Sequence, residues 1–195
     1  MFERLVLSDK PYFEGKPTKA YTQYKSMLSR CSSWIKRKDY EGSTVDPDWL
    51  NYQDWLYWAN DQEGFLNLEK NGRIWSLDKD ILKAGNKHYC PDYCAFIPNV
   101  LNQFFKLQDS SRDAYLLGVS PQTNKSSFKV RINDGSGKHI YLGTYATQEE
   151  AHEAYLEGKT KLGESLADFY DGFVDDRVLE VVSDFKTWFK SLPSA

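Results

Sequence analysis

The side chains best suited to chemistry lie around one short segment in the first half of the chain. Asp78 and Asp80 stand at the end of a predicted strand, and His88 lies in the polar loop that follows. Carboxylate oxygens are ligands that Mg²⁺ prefers, and the pKa of a histidine suits it to take up a proton near neutral pH. These residue types can therefore bind a divalent cation and activate a water molecule. The alternative interpretation makes Asp78 a turn residue at a strand end and His88 an ordinary surface residue.

Four predicted elements would hold these side chains, in the order strand, loop, strand and helix. They are a strand over residues 73–78, a polar loop over 83–91, a second strand over 93–97 and a helix over 98–105. The first strand follows Asn71-Gly72, the strongest hairpin signal in the chain. Asn102 lies on the helix and offers a further oxygen ligand, whereas Tyr93 and Phe96 are expected in the core.

Two further helices are predicted upstream of these elements. Apolar residues at spacings of three and four indicate a helix over residues 18–31, which Thr18 can cap. Asp46 followed by Pro47 is typical of a helix start, because the aspartate caps the helix and proline suits its first turn. This second helix is expected to end near Ala59.

The charge of the chain is unevenly distributed. The formal net charge is −3, which by itself gives no nucleic-acid signature. Residues 1–38, however, carry nine lysines and arginines against three acids. Lys36, Arg37 and Lys38 form a cluster in the loop between the two upstream helices. A basic region attracts phosphate even when a distant acidic face cancels the sum, although ordinary solvated surface is the alternative.

The second half of the chain predicts a small sheet followed by helices. Three strands are expected over residues 115–120, 127–133 and 139–145, with polar turns between them. Thr147 and Glu150 then form a capping box at the start of a helix. A last helix over residues 175–192 carries an apolar stripe, which either packs on the main body or forms a homodimer interface.

The middle strand of this sheet alternates between basic and apolar residues. Lys129 and Arg131 are two residues apart and share one face, while Phe128, Val130 and Ile132 share the other. The charged residues between positions 116 and 145 are Lys125, Lys129, Arg131 and Lys138 against Asp134 alone. The pattern predicts an apolar face against the helix and a basic face toward solvent. A twisted antiparallel sheet of this kind can lie in the major groove of DNA.

The cysteines favour free thiols over a disulfide framework or a zinc site. Three cysteines and an N-terminus without an apolar leader indicate a reducing compartment. No segment reaches transmembrane length, so we expect a soluble intracellular protein with no membrane partner. Cys90 and Cys94 form one loose pair, which His88 and Cys31 could join, whereas structural zinc sites show two tight pairs. The sequence therefore does not predict zinc.

An ordered set of short runs resembles the phage HNH endonucleases. These runs are YKSMLSRC from Tyr24, SLDKD from Ser76 and GNKHYCPDYCAF from Gly85, with Val45 and Trp49 between the first two. The family typically reads W-x-x-M-x-x-R-C, then a tryptophan helix, then L-D-R-I-D and G-N-x-Y-S-P-E-N-C-R-W. The resemblance covers residues 21–105, and its specificity lies in the order and separation of the runs.

This resemblance implies a ββα-metal nuclease site that uses Mg²⁺ or Mn²⁺. Asp78 would be the metal ligand at the strand end, and Asn102 occupies a helix position where the family places His, Asn or Gln. The general-base histidine of the family is replaced by Lys79 here, as in part of the phage subgroup. Lys79, Asp80 and His88 therefore all stay open as the base, and Lys79 is also a candidate phosphate contact. Tyr93 replaces an asparagine that braces the loop, a role that we assign to Asn86.

The sheet region resembles a second family, the apetala/ethylene-response-factor DNA-binding domain, which also occurs in phage homing endonucleases. The matching runs are GVS from Gly118, FKVRI from Phe128, GKHIYLGTY from Gly137, TQEEA from Thr147 and AY from Ala154. The resemblance implies that the sheet binds DNA. Within that expectation we assign Arg131 to a base contact, because its fork matches guanine. We assign Lys125, Lys129 and Lys138 mainly to phosphate contacts.

Together these features predict an α+β protein in three parts. They are a ββα-metal HNH-like domain with N-terminal helices over residues 1–107, a three-stranded DNA-binding domain over 113–166 and a C-terminal helical extension over 167–195. The expected function is metal-dependent nicking or cleavage of double-stranded DNA by a phage homing endonuclease in the cytoplasm of a bacterial host. One alternative is an inactive relative that binds DNA or inhibits another host or phage DNA-binding protein. Another is a protein-interaction module that keeps only the fold.

Overall fold

The computed structural model describes residues 10–32, 40–107, 115–122 and 126–192. The chain is α+β, as the sequence predicts. It divides into two compact units, which are described separately below. The first comprises the described residues up to Pro98 together with Gly172–Val178, and the second comprises Asn99–Asp171 and Leu179–Leu192. This division differs from the predicted boundaries, because residues 99–107 go with the second unit. Among the helices of the described ranges, none combines the length and apolarity needed to cross a membrane.

The first unit begins with a small hairpin and a capped helix. Strands β1 (Tyr12–Phe13) and β2 (Lys16–Pro17) pair antiparallel. Helix α1 (Lys19–Arg30) follows directly, and the side chain of Thr18 accepts a hydrogen bond from the backbone N–H of Tyr21 at 3.2 Å. The predicted helix and its cap are therefore confirmed.

The second predicted helix is in fact two elements, a 3₁₀-helix (Pro47–Leu50) and helix α2 (Tyr52–Asn60). Asp46 caps the first element, as expected. Asn51 interrupts the run because its backbone is extended and its side chain accepts a hydrogen bond from the N–H of Gln53 at 2.9 Å. An asparagine side chain competes in this way with the helical backbone and starts a new helix.

Two short strand pairs frame the segment of chemical interest. Strand β3 (Thr44–Val45) pairs parallel with β5 (His88–Tyr89), and strand β4 (Ser76–Asp78) pairs antiparallel with β6 (Ala95–Ile97). The two predicted strands are present as β4 and β6 and are shorter than expected, and the predicted loop between them contains the further strand β5.

The second strand begins late because residues 90–94 form a turn, in which the N–H groups of Tyr93 and Cys94 both donate to the carbonyl of Cys90. Tyr93 is half-buried there and is not a core residue. Phe96 is fully buried, as predicted.

A cluster of aromatic side chains forms the core of the first unit. Trp55, Phe65 and Phe96 are each 0% exposed. The ring centroids of Trp55 and Phe65 are 5.7 Å apart, and those of Phe65 and Phe96 are 4.9 Å apart. Aromatic pairs at these separations stabilise a core beyond the area they bury. This cluster supports strand β6 and, through it, the end of β4.

The second unit contains one helix, a three-stranded sheet and the helices that follow it. Helix α3 (Asn99–Phe105) comes first. Strands β7 (Val119–Pro121), β8 (Phe128–Asn133) and β9 (His139–Tyr145) form an antiparallel sheet in that order. Helix α4 (Gln148–Tyr170) then begins at Thr147, which forms the predicted capping box with Glu150. The sheet and the helix that packs on it are therefore confirmed.

Helix α4 covers one face of this sheet at close range. Val130 is 0% exposed and Ile132 is 3% exposed on the covered face. A Cβ atom at Gly118 would lie 2.0 Å from the ring of Tyr155, and one at Gly158 would lie 2.3 Å from a methyl group of Leu142. Glycines at these two positions allow the helix and the sheet to approach each other.

The last predicted helix is divided into α5 (Asp176–Ser183) and α6 (Phe185–Lys190). Asp184 separates them, because its side chain accepts a hydrogen bond from the N–H of Thr187 at 3.1 Å and starts a new helix. Val178, Val182 and Phe185 of the predicted apolar stripe are each 0% exposed. These three residues are buried within a single chain, whereas Phe189 is half-buried. This burial favours packing within the chain, and a homodimer through this helix stays a prediction.

A buried lysine lies among the helices of the second unit. Lys159 on α4 is 3% exposed, and its ammonium donates to the carbonyl of Phe104 at the end of α3. The same nitrogen lies 3.6 Å from the ring centroid of Phe104 and 4.8 Å from that of Phe185. Burial lowers the pKa of Lys159 to about 7. A charged amine in this environment lacks the stabilisation that water would give it, so burial favours the neutral form of Lys159.

This arrangement predicts that stability rises with pH in the alkaline range. Between about pH 7 and 10.5 the unfolded chain binds more protons than the folded chain, because the folded pKa of Lys159 is the lower one. The free energy of unfolding should therefore increase through that window. In Lys159→Met this part of the increase should be missing, and the difference should amount to a few kcal/mol, since one pKa unit corresponds to about 1.4 kcal/mol. Urea unfolding of both proteins across the window measures it, and parallel pH profiles would contradict the assignment.

Candidate functional site

Asp78 lies at the end of β4 with its carboxylate held in place by the chain that follows. Its Oδ1 atom accepts hydrogen bonds from the N–H groups of Asp80 and Ile81, at 3.0 and 2.9 Å. This is the geometry of a turn residue, so the structural role considered above is present. It also orients the carboxyl group rigidly, which is what a ligand for a cation needs.

Charge and burial make this carboxyl group unusual. Burial raises the pKa of Asp78, and the nearby carboxylate of Asp80 raises it further. A third charged group, the guanidinium of Arg30, donates to the carbonyl of Leu77 and to the hydroxyl of Tyr89, each at 3.4 Å. The end of β4 thus brings two acidic groups together with two cations, the guanidinium of Arg30 and the ammonium of Lys79. Two neighbouring carboxylates resist ionising together unless a positive charge offsets them.

Lys79 points into the protein and not toward solvent. It is 3% exposed, and its ammonium donates to Asp80 Oδ2 at 3.0 Å and to the carbonyl of Asn86 at 3.1 Å. The rings of Tyr40 and Tyr89 lie farther away, with centroids at 6.0 and 5.9 Å from the ammonium nitrogen. In this position Lys79 closes the loop, and either a phosphate contact or a base role would require these bonds to open.

The loop between the two strand pairs is braced by Asn86, as predicted. Its amide nitrogen donates to the carbonyls of Lys79 and His88, at 2.6 and 2.7 Å, and its amide oxygen accepts from the N–H of His88 at 3.2 Å. His88 itself is half-buried, and its Nδ1 atom lies 2.8 Å from the hydroxyl of Thr44. The structure therefore gives His88 a partner on the neighbouring strand, and nothing further that marks it as a base.

The remaining expected ligand, Asn102, lies on α3 in the second unit, whereas Asp78 lies in the first. Its side chain is half-buried. Within the described ranges, no three His, Cys, Asp or Glu side chains come together in a way that could hold a metal ion. Burial raises the pKa of Cys94.

The chemistry of the donor groups fits one kind of cation better than others. Asp78 and Asp80 supply carboxylate oxygens, which suit Mg²⁺, and this ion commonly uses one or two carboxylates together with water and phosphate oxygens. They do not suit a structural site enclosed by protein ligands alone. A cation held there would complete its coordination with water or other oxygen ligands.

The outward face of the three-stranded sheet carries the predicted basic residues together with polar partners. Arg131 is exposed and pairs across the strands with Tyr141, which is 57% exposed. Lys129 pairs with Thr144. The hydroxyl of Thr144 lies 2.6 Å from that of Tyr141 and accepts a hydrogen bond from Gln122 at 3.0 Å. These contacts hold polar side chains in fixed positions between the two cations.

The five other predicted DNA contacts do not lie on the strands of this face or lie outside the described residues. Lys138 is exposed in the turn between β8 and β9, where its backbone N–H donates to Asp134. Serine and backbone hydrogen bonds in that turn lower the pKa of Asp134 and keep its carboxylate charged. The other four predicted contacts, Lys36, Arg37, Lys38 and Lys125, lie outside the described residues.

Sequence reasoning overlooked several residues of these two regions. Arg30 was part of a recognised run but received no role, because nothing in the sequence places it beside Leu77. Tyr141 and Thr144 are three residues apart, so strict alternation would place them on opposite faces. A shift in the register between β8 and β9 at Val130/Arg131 lets both pair with the basic residues, and nothing in the sequence marks that shift. Lys159 carries no signal in the sequence that distinguishes it from a surface lysine.

Comparison of the chain with protein-family models, with curated proteins and with solved structures finds no match. The two family resemblances noted in the sequence therefore stay predictions.

The bracing of the loop by Asn86 leads to a prediction about stability. Asn86→Ala should lower the free energy of unfolding by about 2 kcal/mol, because it leaves three half-buried backbone groups without this side-chain partner. His88→Ala serves as the control, since it removes only one exposed side-chain hydrogen bond and should cost well under about 1 kcal/mol. Urea unfolding measures both variants, and equal losses would contradict the bracing role.

Proposed function

We propose that this protein binds double-stranded DNA through the outward face of its three-stranded sheet. The observation that carries the proposal is the asymmetry of the sheet, whose apolar face is covered by α4 and whose other face presents Lys129, Arg131 and Tyr141. Since α4 covers only one face, the opposite face is left to meet a partner. Two cations and fixed polar groups on a twisted sheet suit the edge of a DNA groove.

Charge supports a nucleic acid as this partner. Lys129 and Arg131 lie two residues apart on the face, and the acidic residue of this region, Asp134, lies in a turn and not on the face. The arginine fork is suited to a guanine edge, and the lysine to a phosphate. The side chains of Tyr141 and Thr144 are already ordered by their hydrogen bond, so binding loses less conformational freedom.

We further propose that the chain is of the phage HNH homing-endonuclease type, with a DNA-binding module like the apetala/ethylene-response-factor domain. The support is the order of strand, loop, strand and helix from β4 to α3, with Asp78 at the strand end. A protein of this type would act in the cytoplasm of a bacterial host. The resemblance in the sequence, and not a structural match, links the two halves to these families.

Metal-dependent cleavage of DNA is a second candidate function, favoured by one specific feature. Asp78 and Asp80 place two carboxyl groups at the strand end, and a divalent cation bound there would polarise a phosphodiester. The inward position of Lys79 points instead to an inactive relative that binds DNA, or that inhibits another DNA-binding protein. Binding therefore comes first in our proposal, and cleavage depends on Asp78.

Substitutions on the sheet test the binding proposal. Arg131→Ala should weaken duplex binding about tenfold, because it removes a charged base or phosphate contact. Lys129→Ala should weaken duplex binding less. It should also reduce the slope of the logarithm of affinity against the logarithm of salt concentration by about one. The matched control is Lys161→Ala, which removes the same charge from an exposed position on α4. Fluorescence anisotropy with a labelled duplex gives the affinities, and equal effects of Lys129→Ala and Lys161→Ala would contradict the proposed face.

Cleavage is tested on supercoiled plasmid with Mg²⁺ or Mn²⁺. Asp78→Asn should abolish nicking and retain DNA binding, because the amide oxygen can still accept the two backbone hydrogen bonds while the charge is lost. Asp61→Asn, at an exposed position in the same unit, is the control and should nick normally. Nicking that survives in Asp78→Asn would exclude Asp78 as a ligand, and binding without nicking in the wild type would favour the inactive relative.

A further inference from the structure

A small hairpin at the start of the described chain projects an aromatic side chain into solvent. Strands β1 and β2 are joined by Glu14 and Gly15, both with positive φ, at 49° and 75°. This is the backbone of a tight two-residue turn that matches the twist of its strands. Phe13, next to the turn, is 66% exposed.

The hairpin is attached firmly to the helix that follows it. The carbonyl of Pro11 accepts hydrogen bonds from the N–H and the hydroxyl of Thr18, at 2.9 and 3.3 Å. The ring of Tyr12 packs on that of Tyr21, with centroids 5.3 Å apart. The hairpin therefore holds a defined position on α1. Phe13 is exposed although its strand is well attached.

The register of the strands places a cation beside this ring. Phe13 pairs directly with Lys16, so the two side chains share one face of the hairpin. Alternation along the strand puts Tyr12 on the opposite face, toward α1. Lys10 is also exposed at the base of the hairpin, and Glu14 is the acid among residues 10–19.

We propose that this hairpin is a second DNA-contacting element, in which Phe13 packs against bases or sugars and Lys16 meets the adjacent phosphate. Apolar side chains on narrow elements act in this way when they enter a groove or a base step. The inference rests on the proposed function, since it assumes that the protein binds duplex DNA. It adds a contact in the first unit that is independent of the sheet residues.

The same chemistry could serve an anionic membrane surface, but the shape of the hairpin favours DNA. Membrane-bound elements bury a broad apolar face in the lipid. The two exposed rings of this hairpin, Phe13 and Tyr12 at 49% exposed, lie on opposite faces and form no broad apolar face. An apolar ring with a cation beside it matches a side chain that enters a groove or base step next to a phosphate.

The experiment compares two phenylalanines of equal exposure. Phe13 is 66% exposed and Phe169, at the end of α4, is 65% exposed. Phe13→Ala should weaken duplex binding about fivefold or more, because it removes the apolar area that the ring would bury against the DNA. Phe169→Ala should leave the affinity unchanged, and Phe13→Trp should restore it. Anisotropy measures the affinity, and thermal unfolding shows that each variant keeps its fold.

A charge variant gives a second readout at the same place. Glu14→Asn should strengthen duplex binding about twofold to threefold, because it removes the acid beside the proposed phosphate contact while asparagine accepts the positive φ. Wild-type affinity in Phe13→Ala, with duplex binding otherwise intact, would overturn the hairpin proposal and leave the sheet proposal standing. Absence of duplex binding by the wild type would overturn both. Binding to phosphatidylserine vesicles that is lost in Phe13→Ala, with an unchanged duplex affinity, would assign the hairpin to membranes instead.

Discussion

The close packing of α4 on one face of the three-stranded sheet is the constraint on which the functional interpretation depends. A sheet of three strands has too little area to form two cores, so one helix can satisfy it only on one side. Gly118 and Gly158 let the helix approach until Tyr155 and Leu142 fill the interface. Val130 and Ile132 of β8 are buried in this contact. Lys129 and Arg131 lie on the opposite face. The basic face is therefore a consequence of how the core closes.

The first unit follows a different logic, in which polar groups are buried around a short loop. Lys79 and Asn86 link the end of β4 to the loop before β5, and the aromatic core beneath them keeps the strands in place. The side chain of Lys79, one of the candidate general bases, is thus engaged in structural contacts. This is the physical reason for placing DNA binding ahead of cleavage in the proposed function, although the carboxyl groups of Asp78 and Asp80 remain well oriented.

Much of the fold could be predicted from local sequence signals, and the exceptions have identifiable causes. Thr18, Thr147 and Glu150 are caps whose side chains act within three residues, so the sequence is enough to place the helix starts. Asn51 and Asp184 act by the same local mechanism, but each lies inside an apolar periodicity that suggested a continuous helix. The direction of Lys79 depends on Asn86 and the tyrosines around it, which are brought together only by tertiary packing. For the same reason the burial of Lys159 could not be predicted.

The most direct test of the central claim is to follow the backbone amide resonances of an isotopically labelled sample while a short DNA duplex is added. The account predicts that the perturbed amides lie in β7, β8 and β9, with the largest shifts around Lys129, Arg131 and Tyr141. The amide resonances of the last turns of α4, where no contact is proposed, should keep their chemical shifts. Duplex binding that leaves the sheet amides unperturbed, or no binding at all, would contradict it.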